Sequence, residues 1–312
     1  MTTGSGGRPV GELSRRTVLR TLGAGTGVAA SAWWTAGPAE ALPTAPPVST
    51  GDNPVVRENT AAGSDEWGLG CRETCGVDLD RPQIQGSAST ASVAPGETLG
   101  LRLSSRTARS CTVEVYRLGH YGGLRARHLL TAEDVAVAAA AGARPAWTLR
   151  VPPSWVSGIF LAVLTSADGH RAYAPFVVRD PARRSDVLAV VPLSAAAGAY
   201  PGLGMPPGFA TDTSAARWLE ESGYDVTYAT EEDLHRARVD PARYGVVVLP
   251  GSPGEGRWAR RTRAAVTRSP GGTAGLRRPF TLSEPGHATA EARRAATELL
   301  DGMLATVSRP RS

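Results

Sequence analysis

Three cysteines, five histidines and one tyrosine-rich turn are the residues whose types could do chemistry in this sequence. Cys71 and Cys75 share a Gly-rich stretch, and in an oxidising compartment three pairings with Cys111 are open. Closure of Cys71 with Cys75 is the favoured one, leaving Cys111, inside an apparent strand, as the odd thiol. A metal reading of the C-x3-C spacing lacks a nearby histidine. The histidines (His120, His128, His170, His235, His287) show no metal-binding spacing, and His235 is expected on the surface of an amphipathic turn. In Tyr116-Arg117-Leu118-Gly119-His120-Tyr121-Gly122-Gly123 the two tyrosines and His120 could line a cleft. The alternative, which the paired glycines favour, is a hairpin with positive φ at its tip and tyrosines packed onto it.

Several chemistries are excluded. All 34 basic residues are arginine, so a Walker-type phosphate loop and a Schiff-base lysine are ruled out. No Gly-x-Ser-x-Gly elbow supplies a nucleophile. The run Gly202-Leu203-Gly204-Met205-Pro206-Pro207-Gly208 follows a strand, but its prolines delete N–H donors that a phosphate needs, so it reads as an irregular loop.

The elements that must position these residues change character along the chain. From about residue 80 to 180 the apolar period is two: Leu99, Leu101 and Leu103, then Cys111, Val113 and Val115, alternate with polar neighbours. Ala94-Pro95-Gly96-Glu97, Gly122-Gly123 and Pro152-Pro153 punctuate the runs, and Trp147 to Val151, Ile159 to Thr165 and Tyr173 to Val178 continue them, which predicts a β-sandwich. Ala132 to Ala141, rich in alanine with Glu133 and Asp134 near its start, predicts a short helix. Beyond Arg184 the continuous apolar run Asp186 to Leu193 predicts a strand covered on both faces. A helix is expected from about Ser214, capped by Thr213 or Ser214, with Trp218 and Leu219 inward and Gly223 at its stop. Strands follow at Asp225 to Ala229 and Gly245 to Pro250, with a Thr230-capped helical turn between them, so this half reads as a parallel sheet with helices. Arg257 to Arg268 and Glu291 to Leu304 are expected helices, and Arg278 to Leu282 a further strand. The fold class is therefore α+β with two domains: residues 56–182 a β-sandwich-like domain, residues 183–312 a short α/β domain.

The N-terminus carries an address. Arg15 and Arg16, a Gly/Ala-rich apolar stretch (Thr21 to Trp34) and Ala39-Glu40-Ala41 stand in the order of a cleavable twin-arginine signal, residues 1–41, with cleavage after Ala41. A Pro/Ser/Thr-rich leader, residues 42–55, follows. The apolar stretch is too short for a bilayer span, so the expected product is a soluble, secreted or cell-envelope protein delivered by the twin-arginine machinery. Loss of four arginines against two glutamates takes the formal charge from +5 to +3, which is no nucleic-acid footprint.

Three stretches together resemble a known family. Ser92-Val93-Ala94-Pro95-Gly96-Glu97-Thr98-Leu99, then Val113 through Gly123, then Trp218 to His235 look like the exported relatives of the large (β) subunit of N,N-dimethylformamidase, over roughly residues 53 to 260. The resemblance implies a sandwich-like domain followed by a glutamine-amidotransferase-like layer. It also implies a mononuclear iron held by two Tyr and one Glu that hydrolyses a small amide. Hard oxygen ligands suit a Lewis-acidic ferric ion. Tyr200, after the first α/β strand, resembles one Tyr ligand, and Glu255 stands where the family's Gly-His-Asp-Glu-Tyr-Trp segment holds its Glu. Here that segment reads Gly251-Ser252-Pro253-Gly254-Glu255-Gly256-Arg257-Trp258, without the His, the Asp and the Tyr, and no second Tyr ligand is found. Two readings follow: an exported small-amide hydrolase using iron at Tyr200 and Glu255, or a non-catalytic extracellular binding or scaffold protein that kept the fold and binds no metal.

Overall fold

Alternation of Leu99, Leu101 and Leu103 places three buried side chains on one face of β3 (Thr98–Ser105), and the strands around it obey the same period. The protein is seen in a computed structural model, which describes residues 52–68, 81–193, 209–249, 273–275 and 290–307. After a short helix α1 (Pro54–Glu58) come β1 (Ile84–Ala88), β2 (Ser92–Val93), β3, β4 (Ser110–Leu118), β5 (Ala126–Ala136), β6 (Trp147–Arg150), β7 (Gly158–Ser166) and β8 (Arg171–Val178). They form a three-stranded sheet, β1-β3-β6, facing a five-stranded sheet, β2-β8-β7-β4-β5, antiparallel except where β2 runs parallel to β8. Between the two sheets Leu99, Leu101 and Leu103 meet Val113, Val115, Phe160 and Phe176 in one core.

The helix expected over Ala132 to Ala141 is instead the end of β5. Ala132 and Val135 pair with Val113 and Cys111 across a register shift, so β4's unmet ladder groups outweigh the local helix propensity of alanine. The turn between β4 and β5 is the hairpin reading of the tyrosine-rich segment. Tyr121, Gly122 and Gly123 all have positive φ there, at 45°, 63° and 96°.

The second half begins with β9 (Val187–Val191), then α2 (Phe209–Glu221), β10 (Val226–Thr230), α3 (Glu231–His235), β11 (Val246–Leu249), β12 (Thr273–Gly275) and α4 (Ala290–Val307). Its strands are parallel in the order β10-β9-β11-β12. The helix starts at Phe209, a turn before the expected caps. Thr213 donates its hydroxyl to Phe209 O at 2.9 Å, a bond inside the helix, so it is not the cap. Its stop is as expected: Gly223 (φ 77°) and Tyr224 return N–H groups to Glu220 O and Leu219 O. His235 is half-buried, with both ring nitrogens shielded from solvent, rather than a surface residue. β12 lies upstream of the strand expected over Arg278 to Leu282. That segment, like Arg257 to Arg268, lies outside the described residues.

The two halves share a core. One face of β7 and β8 (Ile159, Leu161, Val163, Tyr173, Val177) packs in the same cluster as Val187, Ala189 and Val191 of β9, Trp218 and Leu219 of α2, and Leu300 of α4. On its other face the parallel sheet buries Leu188, Val190 and Val247 beneath Leu234, Val239 and Tyr244. The centre of the five-stranded sheet is thus covered on both faces, with β7 and β8 buried almost end to end.

Candidate functional site

Two places gather polar chemistry: the carboxyl edge of the parallel sheet, and the seam between the five-stranded sheet and α2. At the first, β9 is flanked by β10 on one side and β11 on the other. The chain leaves β9, builds β10 on one flank and returns to build β11 on the opposite flank. In open parallel sheets such a reversal marks the carboxyl edge where ligands bind. The register Val187↔Val246 to Ala189↔Val248 shows that β9 and β11 run out at the same edge. Tyr200 lies nine positions past the end of β9 and Glu255 six past the end of β11, and both lie outside the described residues. So do Arg15, Arg16, Ala41, Cys71 and Cys75.

The same edge is pinned to the sandwich through Asp233. Thr230 ends β10 and caps α3 with a reciprocal capping box, its backbone N–H and hydroxyl reaching Asp233 Oδ2 at 2.8 and 2.7 Å. The other Asp233 oxygen accepts from Ser92 Oγ of β2 at 2.5 Å. Arg179 reaches Ser92 Oγ at 3.2 Å and spans both Glu97 oxygens at 2.8 Å. All three resemblance stretches, starting Ser92, Val113 and Trp218, therefore contribute to contacts between the two halves.

The seam is the larger network. Arg117, at 1 % exposed, forms a two-pronged pair with Glu220, at 0 %: Nη2 to Oε1 at 2.8 Å and Nη1 to Oε2 at 3.0 Å. Its remaining donors reach Tyr121 Oη at 3.0 Å, Ser157 O at 2.8 Å and Val156 O at 3.4 Å. Glu220 also accepts from Tyr228 Oη at 3.0 Å and Asn59 Nδ2 at 2.8 Å. The Asn59 carbonyl in turn holds the backbone N–H groups of His120 and Tyr121, at 2.9 and 3.0 Å. Tyr121 donates to Glu58 at 2.9 Å, and Glu58 is gripped by Arg127. Burial disfavours the Arg117 charge, but the adjacent Glu220 carboxylate more than offsets this, and the guanidinium is held well above its ordinary pKa. Burial, then the same carboxylate, raises the Tyr228 phenol, which stays a neutral donor. Burial also raises Tyr121, against the pull of Arg117.

Glycine makes room for this pair. A Cβ on Gly119 would lie 2.4 Å from Glu220 Oε2 and 2.9 Å from Arg117 Nη1, and one on Gly158 would lie 2.8 Å from Arg117 Nε. Of the residues offered for a cleft, Tyr116 and Tyr121 are buried and only His120 is partly open. With every donor and acceptor committed, this network holds structure and has no free group for a substrate. Sequence reading passed over Arg117 and Glu220. The available signal was a carboxylate on the inward stripe of α2, one turn after buried Ala216 and beside Leu219, which requires a buried cation.

The family model described as N,N-dimethylformamidase beta subunit-like, C-terminal, matches residues 112–200 and 194–274. The chain belongs to this family. The match to the N,N-dimethylformamidase beta subunit-like family takes in the Arg117 turn, α2, all of β9 to β11, and the positions of Tyr200 and Glu255. No curated protein matches the chain. Among solved structures, an uncharacterized protein from Bacillus anthracis str. Ames is 13% identical, covering 29% of this chain and 78% of that one at a TM-score of 0.23. A superoxide reductase (neelaredoxin) from Ignicoccus hospitalis is 13% identical, covering 30% and 80% at 0.20. A cycloisomaltooligosaccharide glucanotransferase of Paenibacillus sp. is 15% identical, covering 55% and 20% at 0.22. Likenesses this slight say nothing of function in this member of the family.

Proposed function

We propose that this chain is an exported member of the N,N-dimethylformamidase beta subunit-like family, descended from small-amide hydrolases, whose ligand site is the carboxyl edge of β9 and β11. The observation that supports it most is the strand order, which sends the segments bearing Tyr200 and Glu255 out from neighbouring parallel strands at one edge. In this reading the parallel sheet is the core of a glutamine-amidotransferase-like layer, and the Arg15-Arg16 signal delivers the folded protein by the twin-arginine route.

Phenolate and carboxylate oxygens are the donors a ferric ion prefers, so Tyr200 and Glu255 fit iron in kind. They do not fit it in number. A metal site needs several ligands and a supporting shell, and the segment from Gly251 to Trp258 lacks the family's His, Asp and Tyr. That same loss favours a second reading, a non-catalytic extracellular binding or scaffold protein on the same framework.

Metal content and turnover separate the readings. Near-stoichiometric iron in the purified processed protein, lost in Tyr200→Phe and in Glu255→Gln, together with release of dimethylamine from N,N-dimethylformamide, establishes the hydrolase. Protein that stays iron-free after reconstitution with ferrous and ferric salts, and turns over no small amide, establishes the binding role.

A further inference from the structure

The five-stranded sheet ends in β5. That strand pairs with β4 along one side, and among the described residues its other side meets only Ser64, whose N–H donates to Ala126 O at 2.8 Å. From His128 to Asp134 no described strand lies beyond it, and His128, Thr131, Glu133 and Asp134 are exposed. The opposite edge of the sheet is closed, because Ser92 of β2 is bonded to Asp233 of α3. An open edge strand recruits another strand unless it is guarded. The guards on β5 are local: register shifts in its ladder fall between Val115 and Tyr116 and between Cys111 and Val113, which leaves Leu130, Thr131 and Ala132 as a regular stretch between two irregularities. Charge along the strand reverses about Thr131. Arg127 and His128 precede it, and Glu133 and Asp134 follow it. Thr131 Oγ1 lies 3.0 Å from His128 Nε2, so the imidazole lies along the strand on the side of Thr131, while Arg127 also grips Glu58.

We propose that β5 is a dimerisation edge for a second copy of this chain, joined β5 to β5 in antiparallel fashion about a two-fold axis at Thr131. A strand that is basic at its start and acidic at its end is complementary to itself reversed, which is what an isologous contact requires. A two-fold axis perpendicular to the sheet sets the central residue opposite its own mate. Thr131 then faces Thr131 of the second copy, and His128 faces Asp134, with Arg127 and Glu133 as diagonal neighbours. Ser64 already occupies the edge at Ala126, which confines the pairing to residues 128–134. So short a contact makes a weak dimer, with a Kd on the order of 10 µM. The same edge is consumed in both copies and no third strand can add, so the two sheets join into one closed pair. The inference is independent of whether the carboxyl edge binds iron.

The test is sedimentation velocity of the purified full chain from about 1 to about 100 µM, with thermal melts to establish that each variant is folded. The parent is expected to pass from monomer to dimer and to nothing larger. His128→Asp sets carboxylates against Asp134 of the second copy and should weaken the dimer about tenfold or more. Adding Asp134→His to that chain exchanges the two partners and should restore association, and His is among the residues that tolerate the φ of 52° at that position. Arg294→Glu, exposed on α4, changes the charge elsewhere and should leave association as it was. Register is read by Thr131→Cys, which on air oxidation should give a disulfide-linked dimer beyond any formed by the parent, whereas Thr148→Cys, exposed on β6, should not. A monomer at every concentration would overturn the proposal, as would a dimer indifferent to His128→Asp or weakened equally by Arg294→Glu. A folded exchanged variant that stays monomeric, or species larger than a dimer, would overturn the two-fold pairing.

Discussion

Arg117 and Glu220 illustrate how a pair of charges survives beneath a protein surface. Each is desolvated, yet their lone pairs and protons are matched, so removing either partner strands the other. Glu220→Leu alone should cost about 3–5 kcal/mol in urea unfolding, while Arg117→Met with Glu220→Leu should recover much of it. Gly119→Ala should destabilise comparably through its collision with Glu220, without removing any hydrogen bond. A second residue-scale prediction concerns Asp186 and Asp225, at the starts of β9 and β10. Burial raises both carboxyls, with Arg183 opposing, and Asp186 Oδ2 has no hydrogen-bond partner. A raised carboxyl keeps its proton in the fold after the unfolded chain has released it. Its contribution to stability is therefore present in acid and is lost as pH rises from the ordinary aspartate range through the raised folded value. Asp186→Asn should accordingly be more stable than the parent at pH 7 but not at pH 4, by parallel urea titrations. Cys111, whose thiol burial pushes up to about 11, should resist iodoacetamide at pH 8 until the protein unfolds.

At the scale of elements, α1 and the segment after it act as a strap. Asn53 caps α1 and donates to Gly223 O at 3.1 Å, Asn59 links Glu220 to the β4–β5 turn, and Trp67 Nε1 donates to Leu124 O at 3.2 Å. Asn59→Ala should therefore lower stability more than the loss of an exposed asparagine would, by about 1–3 kcal/mol, because it leaves buried acceptor and donor groups unmet. β3, β4 and β6 to β11 were legible from their apolar runs, whereas β1, β2 and β12 were not. Thr230 was legible as a cap because Glu231, Glu232 and Asp233 follow it, though its reach to β2 was not. The β5 error shows why: alanine declares a local preference, and only a partner such as β4, with its ladder groups to satisfy, reverses it. The start of α2 was misjudged because a threonine that bonds back to Phe209 looks, in sequence, like one that begins a helix. The carboxyl-edge candidates Tyr200 and Glu255 came from resemblance alone and lie outside the described residues, since spacing within one chain carries no information about which strand ends become neighbours.

For the whole molecule, the shared core joins sandwich and parallel sheet without an intervening solvent layer. Heating should give one cooperative transition, with calorimetric and van't Hoff enthalpies agreeing, rather than two separable events. The centre of the five-stranded sheet, covered on both sides, has a further consequence for sequence drift. In a saturation-mutagenesis library scored for folded yield, positions 159–164 and 172–178 should reject polar replacements at odd and even sites alike. The exposed stretches of β5 should accept most of them. A lineage of this fold would then change fastest at its rim and slowest through the centre of that sheet, whatever becomes of its chemistry.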